Sequence, residues 1–547
     1  MLGLIAMLLL LGKNYWQQPE VPRIILLPIG LMLIIVVQFA MGKVAYFSYT
    51  LLTSLYLMWA ALLIMLGHRL REEFGLPVLA TALAAFLLLG VELNAVAGVI
   101  QYYRWHTLFD SVVSANVSGA VFGNMAQPNH YGNYVTLGLI SLGLLRLRWQ
   151  LHTWLVLLLA LPLLFVLVLS GSRSPWLYFL FLTALSFMWQ RRDKSILPLL
   201  RYSLLLLFGF GVMHWVVKMP WLAGYGAVET SLERLTNQAG NSSIRLHIWH
   251  EAWLIFSQFP WMGAGIGQFG WQHFLLGPLL HNTDIQGLYN NAHNLVMQIA
   301  AEMGLAGLLV LFAALGIWMR QAWSAPRTIY HWWGYGLLAV LGIHSLLEYP
   351  LWYAYFLGVA ALTLGMLDNS TYRLELRGVG RLSVTAVLLL GALSLLQVWQ
   401  GYRLLQGMQK LRPVSAKDEN FTRLVSEGLV ATLKQALLQP YAELVMSNMI
   451  DVSTDHLDIK RDLNQSVLHF VPTPRVAYRE AYLMALSGEQ QEAQLQIERS
   501  IWAFPGEFKA EREKLRALAQ KDPVHFAALL EFALKKYEEY QLAVRTK

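Results

Sequence analysis

Uncharged apolar runs of hydrocarbon-core length recur along this chain, and they restrict its fold more than any other feature. Thr153–Leu169 reads TWLVLLLALPLLFVLVL, and Phe47–Gly67 and Leu382–Gln400 are equally free of charge. A backbone buried in lipid has no water to bond to, so such runs satisfy their peptide groups internally, as spanning helices. Further spans are expected at about Ile24–Met41, Leu76–Tyr102, Gln127–Leu145, Pro175–Trp189, Leu199–Val217, His293–Met319, Trp332–Leu347 and Leu351–Leu367. The expectation is an all-α polytopic membrane protein with about twelve transmembrane helices, the short run Met1–Leu11 included. A hydrophobic share of 56% against 14% charged residues excludes a soluble globular chain. The 20 tryptophans and 24 tyrosines suit anchoring at both interfaces. With no cysteine, disulfides, thiolate metal sites and cysteine nucleophiles are excluded.

Charge asymmetry orients the spans. Basic residues concentrate in His68–Arg71, Arg146–Arg148, Arg191–Arg201, Arg320–Arg327 and Arg373–Arg381. These are alternate loops and are expected on the cytoplasmic side, which also accounts for the net charge of +8 without nucleic acid. The outward set is then Arg104–Asn124, Gly171–Arg173, Lys218–Asn291, the Glu348–Tyr349 corner and everything from Gly401. Met1–Leu11 lacks a charged n-region and a cleavage site, so it does not read as a signal peptide. Counting backward with twelve spans puts Met1 outside, so either this run does not span or the native start lies upstream. Four regions follow: N-terminal spans 1–217, a large periplasmic loop 218–291, C-terminal spans 292–400, and a polar tail 401–547. In the tail, AYREAYLMALSGEQQEAQLQIERSIWAFP places Gly488 as a turn and Pro505 as a stop, spaced as in one tetratricopeptide (TPR-like) helix pair. A small soluble α-helical domain on the outer side is expected there.

The polar residues that a bundle does not need gather at the outer face. AHNLVMQIAAEMGLAGL, from Ala292, opens with His293. It then sets Asn294, Gln298 and Glu302 at steps of four, roughly along one side of a helix. A glutamate in a span is a functional candidate, although such side chains also hydrogen-bond neighbouring helices. QPNHYGNY brings Gln127, Asn129 and His130 to the outer end of a span. SGSRSPW sets Arg173 in a tight turn. SSIRLHIWHEAW carries Arg245 on an amphipathic stretch whose Trp249 and Trp253 suit the bilayer surface. HSLLEYPLWYAYF ends one span on Glu348 and Tyr349 and opens the next at Pro350. His247, His273 and His281 read as ordinary loop histidines. Gly263, Gly265 and Gly267 lack a strand–turn–helix context, so they read as a turn before a re-entrant or interfacial segment rather than a nucleotide loop. No spacing indicates a metal, and no cofactor is called for. Two arginines, a histidine and several amides on one face suit a diphosphate-bearing lipid. Arginine matches phosphate oxygens in a fork, and a neutral histidine can take a proton from an incoming hydroxyl.

QPNHYGNY, SGSR, IRLHIW with FPWMGAGIGQF, AHNLVMQIAAEMGLAG and HSLLEYPLWYAYFLG together resemble the bacterial protein O-oligosaccharyltransferases, the PglL-type branch of the O-antigen ligase and polymerase superfamily. The resemblance covers nearly the whole chain, although a first span usual in such enzymes is missing. It implies transfer of a glycan en bloc from undecaprenyl diphosphate to serine or threonine of an exported, pilin-like protein. The site would lie on the periplasmic face of the inner membrane. It also implies that His293 corresponds to the family's essential histidine, that Gln127 and Tyr349 are functionally important, and that Arg173 and Arg245 lie near the donor diphosphate. Asn129, His130, Asn294, Glu302 and Glu348 are expected to support them. An O-antigen ligase or polymerase would use a similar outer site with a different acceptor. A lipid or glycan transporter would show internal repeats and mid-membrane charges, which are not seen.

Overall fold

The computed structural model describes residues 5–12, 19–115, 119–224, 231, 233, 242–285, 287–373, 377–410 and 436–546. Among these residues the architecture is all-α apart from one two-stranded ribbon. In it β1 (Glu20–Pro22) runs antiparallel to β2 (Thr371–Arg373), with Val21 opposite Tyr372. The membrane part comprises α1 (Leu26–Ala40), α2 (Phe47–Phe74), α3 (Leu76–Tyr103), α4 (Pro128–Trp149), α5 (Thr153–Leu169), α6 (Ser174–Gln190) and α7 (Leu197–Val216). After α8 (Ser242–Gln258) and α9 (Phe269–Leu280) it resumes with α10 (Leu295–Ser324), α11 (Ile329–Ser345), α12 (Ala354–Leu367) and α13 (Arg377–Lys410). Among the described residues six helical segments are long and apolar enough to cross a membrane: Arg23–Ala40, Phe47–Phe74, Leu76–Tyr103, Lys194–Val216, Leu295–Ser324 and Gly378–Arg403. Thr153–Leu169 and Ala354–Leu367 are apolar but shorter.

Hydrophobicity does not distinguish one helix neighbour from another in lipid, so the bundle relies on packing and internal hydrogen bonds. The fully buried Trp332 and Trp333 of α11 show this: each donates its indole N–H to a serine on a facing helix, Ser186 at 2.8 Å and Ser141 at 3.0 Å.

The helix opened by AHN is not continuous. Gly304 interrupts α10 with φ +63° and ψ −156°, a conformation open only to glycine. The carbonyls and N–H groups released there are met by the FPWMGAG segment. Ala264 and Gly265 donate to the carbonyls of Ala301 and Glu302, while Leu305 and Ala306 donate to those of Pro260 and Trp261, all within 2.7–3.1 Å. A Cβ on Gly304 would sit 2.6 Å from the Gly263 nitrogen and 2.7 Å from the Pro260 oxygen. The glycine-rich stretch is therefore a backbone plug for a broken helix. Irregular backbone at membrane depth is tolerated when protein satisfies it in this way.

Beyond Gly401 the backbone does not change course where the composition does, because α13 continues to Lys410. The tail then folds as α14 (Gln439–Ser447), α15 (Leu457–Phe470), α16 (Pro474–Leu486), α17 (Gln490–Ala503), α18 (Phe508–Lys521) and α19 (Pro523–Arg545). Gly488, at φ +80°, makes the turn between α16 and α17, which pack as a hairpin around Tyr478, Ile497 and Ile501. The large loop is not separate from the tail. Phe274 of α9 is buried in the tail's core, Trp271 stacks on His469 at 4.5 Å, and His281 stacks on Trp502 at 4.4 Å.

Candidate active site

Glu348, just past the end of α11, is the centre of the site. Its side chain is almost fully buried (5% exposed), and each oxygen is taken. Oε2 meets His293 Nδ1 at 2.7 Å, while Oε1 accepts from Asn129 Nδ2 at 3.0 Å and from Arg245 Nη2 at 3.1 Å. Three separate segments thus converge on a carboxylate carried by a fourth. Burial pushes the Glu348 carboxyl up, but the hydrogen bond from His293 and the Arg245 charge outweigh it and hold the group below its ordinary value of 4.5. A carboxylate on Nδ1 fixes the ring of His293 and turns Nε2 outward as the position able to accept a proton. The His293 side chain is 25% exposed, the opening a reacting group needs.

Local sequence explains how His293 is presented. It has φ +49°, in the left-handed region that costs a non-glycine residue about 1 kcal/mol. The Asn291 side chain accepts its N–H at 2.8 Å. Asn294 then caps α10, accepting from Val296 and Met297, and its amide donates to the Leu346 carbonyl at 3.2 Å. Trp249 donates to the Ala292 carbonyl at 3.0 Å, so it braces the histidine turn rather than resting on the bilayer. Trp253 remains exposed. The Tyr349 ring lies 5.2 Å from that of His293 and stacks on Tyr353 at 6.1 Å. Burial, then the neighbouring Tyr353 and Glu348, push its hydroxyl above the ordinary 10.0, so it is a proton donor and not a base.

Residues 155–312 match the family model described as O-antigen ligase, and residues 332–518 match that described as virulence factor membrane-bound polymerase, C-terminal. Over 418 residues the chain is 27% identical to the general O-oligosaccharyltransferase of Acinetobacter baylyi, spanning 74% of this chain and 71% of that protein. It is 21% identical over 359 residues to the ComP-specific O-oligosaccharyltransferase of the same organism, spanning 65% and 63%. These matches support a PglL-type O-oligosaccharyltransferase of the O-antigen ligase superfamily.

Such an oligosaccharyltransferase is a glycosyltransferase, and its remaining sequence candidates take distinct places. Gln127 is the N-cap of α4: its side-chain oxygen accepts the His130 N–H at 2.9 Å, so here it shapes the turn that carries Asn129. Arg173 stands at the N-cap of α6, and the adjacent Ser172 packs against Gly132 of α4. Glu302 does not join the His293 cluster. Its carboxylate accepts from the Phe269 N–H at 3.1 Å, at the start of α9, and Gln298 accepts from Ala292 N at 2.6 Å. The presumed polar stripe of α10 therefore divides into a cap, a brace and a clamp on the plug. His273, read as a loop histidine, is buried in α9 with Nδ1 2.6 Å from Glu251.

Two residues of this oligosaccharyltransferase were missed. His344 and Tyr178, both fully buried, join His130 beneath the site: Tyr178 OH lies 2.9 Å from His344 Nδ1, and His344 Nε2 lies 3.1 Å from His130 Nδ1. The signal available for His344 was an ionisable side chain inside an apolar run, four residues before the EYP corner.

Proposed function

We propose that this enzyme transfers a glycan en bloc from undecaprenyl diphosphate to serine or threonine of exported, pilin-like proteins. It would do so on the periplasmic face of the inner membrane, in a bundle of about twelve spans. The observation that carries the reading is the pairing of a partly exposed His293 with a buried Glu348 at 2.7 Å. Glu348 holds the Nδ1–H tautomer, so Nε2 accepts the proton of the acceptor hydroxyl as its oxygen attacks the anomeric carbon. The new C–O bond forms with inversion while the bond to the diphosphate breaks, and the electron pair leaves on the diphosphate. Arg245, beside His293 and one-third exposed, and Arg173 bind the developing phosphate charge. Tyr349 lines the acceptor side.

A lipid donor is supported by an apolar cavity of about 460 Å³ between α1, α2, α10 and α12. It begins at Leu295 and Leu351, each two residues from a site residue, and Pro440, Tyr441 and Phe470 of the tail close it. The TPR-like tail, joined to the large loop through α9, would receive the protein acceptor. The test is transfer in a glycosylation-deficient bacterial host supplied with a lipid-linked glycan and pilin-like acceptors, read by intact-protein mass spectrometry. A glycan-sized mass gain that disappears with His293→Ala is expected. Wild-type gain in that variant overturns the assignment, and glycan found only on lipid A core moves the enzyme to the ligase branch.

A further inference from the structure

We infer that Tyr178, His344 and His130 form a hydrogen-bonded strut that positions Glu348, and that its sense runs outward from Tyr178. The inference rests on the His293–Glu348 reading above and adds three positioning residues to it. The three side chains come from α6, α11 and α4 and are 0%, 0% and 1% exposed. Two histidines and a tyrosine at the centre of an apolar bundle are unfavourable unless their polar atoms serve one another.

The strut ties together the two backbones that build the site. The His344 carbonyl accepts from Leu347 N at 3.0 Å and Glu348 N at 2.7 Å, so this residue holds the turn that delivers Glu348. His130 directly follows Asn129, whose amide reaches Glu348 Oε1 at 3.0 Å. The His130–His344 bond of 3.1 Å therefore sets the spacing across which Asn129 meets Glu348. If that spacing changes, the carboxylate that orients His293 moves with it.

The sense follows from the far end. For neutral rings, two hydrogen-bond orders close the chain. In one, Tyr178 donates to His344 Nδ1, His344 Nε2–H donates to His130 Nδ1, and His130 keeps an Nε2–H. In the other every donor is reversed and His130 Nε2 is a bare lone pair. That Nε2 is buried without a hydrogen-bond partner. Its ring lies among Tyr353 at 4.7 Å, Phe356 at 5.7 Å and Tyr349 at 6.0 Å, each edge-to-face or tilted. An N–H is favourable against aromatic π electrons, and a lone pair is not. The first order is therefore the one the site holds.

The experiment compares Tyr178→Phe and His344→Phe with His293→Ala and Glu348→Gln in purified full-length enzyme, with kcat and both KM values measured. Tyr178→Phe keeps the ring and removes only the donor, so it does not depend on a disruptive change. Both strut variants are expected to lower kcat about tenfold or more, with KM for glycan donor and acceptor within about twofold, as misplacement of an otherwise intact site produces. Histidine-selective ¹⁵N spectra give an independent readout. The signals lost in His344→Phe are expected to report a bare Nδ1 and a protonated Nε2 in the parent, and Tyr178→Phe is expected to release that tautomer. Wild-type kcat in Tyr178→Phe overturns the strut, and a protonated Nδ1 on His344 overturns its sense. If His293→Ala and Glu348→Gln both retain transfer, the reading beneath it fails as well. If those two abolish transfer and Tyr178→Phe does not, the strut alone fails.

Discussion

Replacing Glu348 with glutamine tests the site most sharply, because every neighbour of this carboxylate is a donor. Asn129 Nδ2, Arg245 Nη2 and His293 Nδ1 all point at it. A glutamine brings one acceptor oxygen and one NH₂, so one face must oppose donor to donor. Keeping the oxygen toward Arg245 and Asn129 preserves two bonds, one of them charge-assisted, and sets the NH₂ against His293 Nδ1. Turning the amide over loses both, at about 1.5–3 kcal/mol for the charged bond alone. The first orientation wins, and it forces His293 into the Nε2–H tautomer, whose outward nitrogen can no longer accept a proton. Loss of a positioned general base costs about 10²–10⁴ in rate. The expected result is therefore a kcat lowered at least about 100-fold with donor KM little changed, measured by multiple-turnover transfer with the purified enzyme. A Glu348→Gln enzyme within about threefold of the parent would refute the dyad, since a working base contributes at least about 100-fold.

Acid behaviour follows from the lowered Glu348 value. A carboxyl depressed on folding contributes stability above its unfolded value and loses it only as pH falls through the lower folded one. The melting-temperature gap between parent and Glu348→Gln is thus expected to stay level from neutral pH to the ordinary 4.5 and to close below it; closure already near neutral pH would contradict the assignment. Arg245→Lys keeps the charge but loses the planar fork, and donor KM is expected to rise about tenfold in steady-state assays. Gly304→Ala drives a methyl into the plug backbone and is expected to destabilise the enzyme by at least about 2 kcal/mol, read as loss of folded protein in detergent melts. Trp502→Ala removes the ring that stacks on His281 and is expected to cost about 3 kcal/mol in the tail and to speed limited proteolysis between α9 and the tail.

How much of this was legible in the sequence depended on whether a residue's partner was local or distant. Asn129, Arg245, His293, Glu348 and Tyr349 were recoverable as a set, because each lies at the end of a span or amphipathic run on one side of the charge pattern. That Glu348 joins three of them was not recoverable, since its partners stand 219, 103 and 55 residues away. Glu302 shares the period-four side with Asn294 but lies eight residues further along α10, about 12 Å from the helix start, where it accepts from the Phe269 N–H instead. The glycine that breaks the helix and the loop that repairs it are far apart in sequence and carry no shared periodicity. Gln127 had the pattern of an N-cap before a proline-opened helix, a local signal that fits its observed bond to His130 N.

The broken helix also explains why a site with so many contributors can hold its geometry. α8 carries Arg245 near its start and leads directly into the plug at its end. Trp249 fastens the first part of this unit to the Ala292 carbonyl, beside His293. The backbone pairs between 260–265 and 301–306 fasten the second part to the break in α10. Two attachments on one helix fix both its position and its rotation, whereas one would leave it free to swing. The cation that meets Glu348 and the histidine that shares that carboxylate are therefore presented by a single braced unit of α8 and α10. Asn129 and Glu348 arrive on a second unit, α4 and α11, tied by the His130–His344 bond. The Glu348 carboxylate is the joint between the two. Separating these units would break the Arg245 and His293 contacts to Glu348 and the Asn294–Leu346 bond, while leaving Asn129 on Glu348.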